Sequence, residues 1–484
     1  MLLDRAVVPF IALLVTACST ELTTDSGRAA TTISVQIDTI DYESTVSPSI
    51  VVMDQHGVPI TDALTGDFTI VSSDTTIATV NGDAMTITGT GIGDATLTVR
   101  YNDIEVDAPI RVRLGPARAN QLIAGGLHSC VLSVTGAASC WGGGMQGELG
   151  NGDTLSSGSP VIVHGGHHFS SLAAGYYHSC GLEDGAAWCW GLGEAGVLGN
   201  GADTSASEPV PVAGGLTFVQ ITAGYLVSCG LTADGTAYCW GGNYSGTLGI
   251  GSADPADSSN VPVPVTRGVK FARITADGYH VCALTRLGKT YCWGSGWGGA
   301  LGTGDEDVQP SPVAVLDSMT FVSIVGGFVH TCAIDREGRA FCWGYNDHGQ
   351  VGDYTTDSLV FSPVEVQTSA RFWSLSEGQD LHLCGIARSD GMLRCWGANS
   401  SGQLGDGTTN DAYVPVEAPL LHPKEVVAGD SHTCAIDSDD VVFCWGDNTF
   451  GQIGQGTVGG DDVLSPSPVN GVGSAALRST ARDM

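Results

Sequence analysis

Seven times in this chain a Cys is followed nine to eleven residues later by Cys-Trp-Gly. The pairs are Cys130 and Cys140, Cys180 and Cys189, Cys229 and Cys239, Cys282 and Cys292, Cys332 and Cys342, Cys384 and Cys395, and Cys434 and Cys444. Paired thiols can hold a soft metal or close a disulfide. Most first cysteines follow a His by two residues, as His128, His178 and His432 do, and on a strand that spacing puts nitrogen and sulfur on one face. A Cys2His metal site per repeat is therefore one reading. Zinc sites normally use a tight Cys-x2–4-Cys knuckle, which no pair here has. The third repeat has Val227 in place of His and keeps both cysteines, as a disulfide allows. No metal and no cofactor is expected.

The elements that would position the thiols are hairpins. In the seventh repeat Cys434 faces Cys444, Ala435 faces Phe443, Ile436 faces Val442 and Asp437 faces Val441, leaving the loop Ser438-Asp439-Asp440. Gly235, Gly288 and Gly338 end the same loop in repeats three to five, where a three-residue hairpin needs a left-handed residue. Repeat two is one residue shorter and offers Asp184-Gly185, the signature of a two-residue type I′ turn. Loop length changes, yet the cysteines stay opposite each other, within disulfide range. Seven disulfides follow. They account for fourteen of fifteen cysteines and leave Cys18.

The hairpins recur about every 51 residues between 119 and 473. After Trp-Gly comes a Gly-x-Leu-Gly-like turn, as in Gly147-Glu148-Leu149-Gly150 and Gly402-Gln403-Leu404-Gly405, then a Pro-Val segment such as Pro209-Val210-Pro211-Val212. The pattern resembles the regulator of chromosome condensation family, and the paired cysteines are an addition to that family's usual repeat. The resemblance implies a seven-bladed β-propeller, and each repeat holds enough β-like runs for a four-stranded blade. The extra C-terminal segment Pro466-Ser467-Pro468-Val469 is expected to complete the first blade and bury the open edges. Family members include nucleotide-exchange factors for a small nuclear GTPase that also bind chromatin. Another propeller of similar repeats is a secreted β-lactamase inhibitory protein.

Upstream, residues 32–114 alternate apolar and polar residues between turns such as Asn81-Gly82-Asp83, the pattern of an all-β sandwich. Val71-Ser72-Ser73-Asp74 and Gly93-Asp94-Ala95-Thr96-Leu97-Thr98-Val99 resemble the group 2 bacterial Ig-like domain, which implies a spacer. Residues 1–18 read as a signal peptide whose apolar run is too short to span a bilayer. Val15-Thr16-Ala17-Cys18 resembles a lipobox, which implies lipid attachment at Cys18 and, with Ser19 next, an outer-membrane lipoprotein, periplasmic or surface-exposed. Residues 19–31 read as a flexible tether and 474–484 as a tail.

The chain has 51 acidic and 19 basic residues, a net charge of −32 and only three Lys. Such a surface disfavours nucleic acid and anionic lipid. No Lys or Arg lies between Arg118 and Arg267, a candidate docking face for a basic partner or simply a soluble surface. There is no nucleophile elbow, zinc-protease helix or phosphate loop. His164, His167 and His168 break the repeat and read as a polar loop, and the Asp-rich turns at 304–307 and 460–462 lack EF-hand spacing. The expectation is a monomeric, non-enzymatic envelope protein. It binds a protein or surface glycan through the variable loops after Trp-Gly. An enzyme inhibitor with Trp297 as an exposed anchor is the alternative. An exchange factor, which needs a reduced cytoplasmic protein, ranks third.

Overall fold

Short alternating runs between glycine turns predict an all-β chain, and the computed structural model is built of strands with only single 3-10 turns among the described residues. It describes residues 119–472 apart from 317, 377, 379 and 380. N-terminal to these it describes 15–16, 22–23, 29–36, 40–41, 45–46, 49–54, 68–75, 78–81, 86–89, 93–101 and 104–113. Cys18 and the tail 474–484 lie outside the described residues. Two compact units result, Met1–Gly115 and Pro116–Met484.

In the first unit, Gly93–Tyr101 pairs antiparallel with Ile104–Arg113 on one side and Phe68–Ser72 on the other. Ala95, Leu97 and Val99 are buried, and Arg100 on the other face is exposed and pairs with Glu105 at 2.7 Å. Ile33, Val35, Val52 and Ile87, from two further sheets, join the same core. The strand expected to begin at 32 begins at Ala29, and Leu22–Thr23 pairs with it, so part of the stretch read as a tether is β-paired. The β-branched Thr31-Thr32 carries strand pattern upstream of the expected boundary.

Among the described residues the second unit contains seven four-stranded antiparallel sheets, each made of four strands consecutive in sequence. The first holds Ala119–Ala124, His128–Ser133, Ala138–Gly142 and Ser157–Ile162. The last holds Glu425–Ala428, His432–Ile436, Val442–Gly446 and Val463–Pro468. The C-terminal strand therefore pairs with Phe443 and Cys444 in its own sheet and does not complete the first one. The Pro-Val segment follows its Trp-Gly hairpin in every sheet, so the last copy is not surplus and the first sheet lacks nothing.

Side chains and loops close the ring instead. Between the third and fourth strands the register slips at the residue between Cys and Gly, so each Trp of Cys-Trp-Gly sits in a β-bulge. The following glycines have φ near 100°, as at Gly142, and a Cβ there would fall 2.6 Å from the Leu127 carbonyl oxygen. The bulge sends the indole, fully buried, against the preceding sheet. There the x residue of Gly-x-Leu-Gly accepts from Nε1: Trp190 to Glu148 O at 2.8 Å, Trp343 to Ala300 O at 2.9 Å, Trp445 to Gln403 O at 2.9 Å. The second glycine of that turn lies flat under the ring; a Cβ on Gly150 would meet Trp190 Nε1 at 2.7 Å. Trp141 donates to Gln452 O of the last sheet at 2.8 Å, which makes the same lock the ring closure. Trp240 Nε1 alone among the seven lacks a partner.

Candidate functional site

All seven cysteine pairs are disulfides, with Cα separations of 4.0–4.1 Å and side chains buried. The hairpin register is as read from sequence: Cys434 opposes Cys444, Ile436 opposes Val442, and Asp440 takes φ 64° in the loop. Disulfides belong to an oxidising compartment. No helix among the described residues is long and apolar enough to cross a membrane. Among the described residues no cluster of three His, Cys, Asp or Glu could hold a metal.

The recurrent histidines are buried and face hydroxyls of the next sheet. His128 Nε2 lies 2.7 Å from Ser179 Oγ, His178 Nε2 2.8 Å from Ser228 Oγ, His280 Nε2 2.8 Å from Thr331 Oγ1 and His382 Nε2 2.6 Å from Thr433 Oγ1. His432 reaches Ser129 across the closure at 2.8 Å. Each of Ser179, Ser228, Thr331 and Thr433 donates its one proton to a main-chain carbonyl, as Thr433 does to Gln403 O at 2.7 Å, so the imidazole must donate from Nε2. Burial drives five of the rings towards the neutral form, to about 3 for His128, His178 and His330 and about 4 for His280 and His432. Where the third sheet has Val227, the facing position is Val281, so donor and acceptor are lost together. Where the sixth sheet has Leu383 at the hydroxyl position, His330 keeps neither ring nitrogen bonded. These groups are structural.

One buried acid departs from its repeat. Gln350, Gln403 and Gln452 each accept a backbone N–H, from His348, Ser401 and Phe450. The first sheet has Glu148 there, accepting from Gln146 N at 2.8 Å. Burial raises its carboxyl to about 7, against the backbone hydrogen bonds that lower it. A proton held more tightly when folded stabilises fully below the usual carboxylate range, near 4.5, and the gain is lost as pH rises through about 7. Glu148→Gln should therefore raise the thermal midpoint at pH 8, by the equivalent of roughly 3 kcal/mol, and leave it unchanged at pH 4. Equal midpoints for parent and variant at pH 8 would show Glu148 to be solvated.

Antiparallel order puts the loops after first and third strands at one end of the ring, and the hairpins and inter-sheet connections at the other. Gly143 N donates to Leu127 O across the first end, and Phe169 N to Gly136 O across the second. At the first end Tyr176, Tyr177, Tyr225, Tyr279 and Phe328, from four successive sheets, gather half-buried with ring centroids 4.6–6.3 Å apart. Tyr176 OH donates to Asp430 Oδ2 of the seventh sheet at 2.9 Å. Beside them a depression of about 510 Å³ is bounded by Tyr176, Tyr177, Tyr225, Phe328, Asp430 and the His348–Asp411 pair, joined at 2.7 Å. The loops after Trp-Gly, where the sequence placed any site, supply His348 and Asp411. The aromatics come from the turns between first and second strands, Tyr225 from the one where Val227 replaces His, and were missed. Their signal was an aromatic shortly before the His in Gly175-Tyr176-Tyr177-His178, Gly278-Tyr279-His280 and Gly327-Phe328-Val329-His330.

Trp297 lies at this same end, 57% exposed and stacked on Tyr345 at 5.8 Å. A larger cavity of about 730 Å³ runs between the first strands. Gln121 and Gln220 bond the backbones of Leu172 and Ile274 along it, so its polar groups serve the ring. At the opposite end His164 pairs with Glu208 and His167 with Glu183, which leaves them as loop ties. Asp305 and Glu306 accept from their own loop, Asp305 from Thr303 and Asp307 N and Glu306 from Gly298 N.

Comparison with known proteins agrees with this geometry. The repeat described as "Regulator of chromosome condensation (RCC1) repeat" matches residues 184–231, 234–284, 288–334, 337–382, 390–436 and 439–480. The Ultraviolet-B receptor UVR8 of Arabidopsis thaliana is 30% identical over 175 residues, 35% of this chain, which spans 39% of that receptor's length. Human WBSCR16 aligns with a TM-score of 0.61 at 22% identity, covering 68% of this chain and 92% of the other. Prp20p from Saccharomyces cerevisiae, whose structure was reported with its binding to Gsp1p and histones, aligns at 0.62 and 22%, covering 72% and 88%. The shared fold is a β-propeller with four-stranded sheets.

Proposed function

Because the chain belongs to the regulator of chromosome condensation (RCC1) repeat family, we propose that it is a non-catalytic binding scaffold that engages its partner at the aromatic end of the propeller. The observation that carries this reading is the half-buried cluster of Tyr176, Tyr177, Tyr225, Tyr279 and Phe328 beside an open depression. Aromatic side chains left partly exposed around a concavity are what interfaces use as anchors. In this reading the seven sheets are seven blades and the first unit is an Ig-like spacer. The chain is exported as a lipoprotein attached through Cys18, and the disulfides support a compartment outside the cytoplasm. Exposed Trp297 supports the narrower alternative, a protein inhibitor of a secreted enzyme using the same end.

The test is site-directed photo-crosslinking in the producing cells. A photo-reactive amino acid is placed at Tyr225 in one variant and at Leu287, an exposed hairpin residue of the opposite end, in another. A discrete adduct from position 225 and none from 287 is the expected result. The same adducts from both positions, or from 287 alone, would remove the aromatic end as the binding face.

A further inference from the structure

The charge of the propeller is segregated by end. Every described Lys and Arg between 119 and 472 lies in a hairpin, an inter-sheet connection or the strand end beside one: Arg267, Lys270, Arg273, Arg286, Lys289, Arg336, Arg339, Arg371, Arg388, Arg394 and Lys424. The described loops of the aromatic end contain none. Six of the seven loops after Trp-Gly carry at least two carboxylates, such as Asp203, Asp257 and Asp357, and the first carries Asp153 besides the buried Glu148. The opposite end also neutralises many of its own cations, as in Arg339 with Asp335 at 2.6 Å and Arg394 with Asp390 at 2.7 Å. The aromatic end thus carries carboxylates with no Lys or Arg among its described residues to offset them, and a depression of about 510 Å³ lined by Tyr176, Tyr177, Tyr225 and Phe328 opens there.

We infer that this depression receives an arginine or lysine side chain from a basic polypeptide segment, held between the Tyr225–Phe328 wall and Asp430. The inference rests on the aromatic end being the binding face and adds the chemistry of what binds. A cation over tyrosine faces is attracted by the ring quadrupole, and more so once water is excluded. Asp430, fixed by Tyr176 OH, supplies the counter-charge at the edge of the cluster. The one-signed rim raises the local concentration of a basic partner and speeds encounter, while a second acidic surface is repelled. A neutral glycan gains from the rings but draws nothing from the one-sided charge, and anionic polymers are opposed by it.

Fluorescence anisotropy with a labelled hexa-arginine peptide tests this, with hexa-citrulline as the isosteric uncharged control. Hexa-arginine should bind and hexa-citrulline should not. Tyr225→Leu, Phe328→Leu and Asp430→Asn should each weaken binding about tenfold with unchanged circular dichroism, the size of one desolvated cation–π or charged contact. Asp305→Asn, in a rim loop, should alter affinity less than twofold beyond its effect on salt dependence. Equal losses from Asp305→Asn and Asp430→Asn with none from Tyr225→Leu would mean a diffuse polyanion, and the inference would fall. So would equal binding of the two peptides. A discrete adduct from position 225 with no peptide binding would leave the binding face standing and remove the cationic ligand alone.

Discussion

Lowering the pH from 7 to 5 should destabilise the propeller steeply. His128, His178, His280, His330 and His432 have their acid dissociation pushed down to about 3 or 4 by burial. Unfolded, the same rings titrate near 6.5. The unfolded chain therefore binds more protons through this window. Stability is full above about 6.5, declines as pH falls, and stops declining below about 3 to 4. Between 6.5 and 5 each ring contributes about 2 kcal/mol to the loss, and five act together. Glu148 opposes them with one proton of the other sign. Asp447 works against the trend at His432. The thermal midpoint measured from pH 8 to pH 4, with disulfides intact, should fall most between 6.5 and 4.5, before ordinary carboxylates titrate. A flat midpoint across that window would mean that water reaches these rings. His330 gives an internal control, since both its nitrogens are buried and unbonded. His330→Val copies the Val227–Val281 solution, so it should raise stability at pH 5 and remove one proton from the slope.

Much of this arrangement was legible in the sequence because a repeat shows each residue under the same constraint seven times. The opposed cysteines followed from hairpin arithmetic, since loops of different length kept the pair in register. Each Trp stands next to the second Cys and therefore on the opposite face of its strand. The hydrogen bond to the x carbonyl of Gly-x-Leu-Gly was not legible, because that partner lies in the preceding repeat. The phase of the sheets was misread for a related reason. The matched family repeat 184–231 runs from one hairpin tip to the second strand of the next sheet. Sequence periodicity fixes the period and leaves the cut open, so the C-terminal Pro-Val strand was assigned to the wrong sheet. The aromatic end was missed because Tyr176, Tyr225 and Phe328 are far apart in the chain and only ring closure brings them to one place. Charge segregation was half visible: the stretch without Lys or Arg stood out, but which loops share an end depends on strand direction.

Removing the disulfides should abolish the fold, and removing one pair should cost about 2–3 kcal/mol. Each pair closes a loop of nine to eleven residues, which restricts the unfolded chain by that amount in the chain-entropy account. Seven such constraints together match or exceed the whole net stability of an ordinary domain, about 5–15 kcal/mol. The sheets lean on them because each is a small unit whose hairpin cysteines sit in the core beside the tryptophan locks. Their sulfurs are buried, so a reductant acts only after a sheet opens. Native protein with mild reductant should take up no alkyl groups at these positions, and protein reduced in denaturant should take up fourteen and fail to refold until reoxidised. Cys434→Ala with Cys444→Ala should lower the denaturation midpoint by the single-pair amount. A reduced chain that keeps its β-sheet circular dichroism and cooperative melting would overturn the argument. The same mass measurement on membrane-extracted protein reads the N-terminus, where a diacylglycerol-modified Cys18 is the outcome the export proposal requires. Fourteen free thiols and an unprocessed N-terminus would return the chain to a reducing compartment, where a propeller of this family would have to hold together on its tryptophan locks alone.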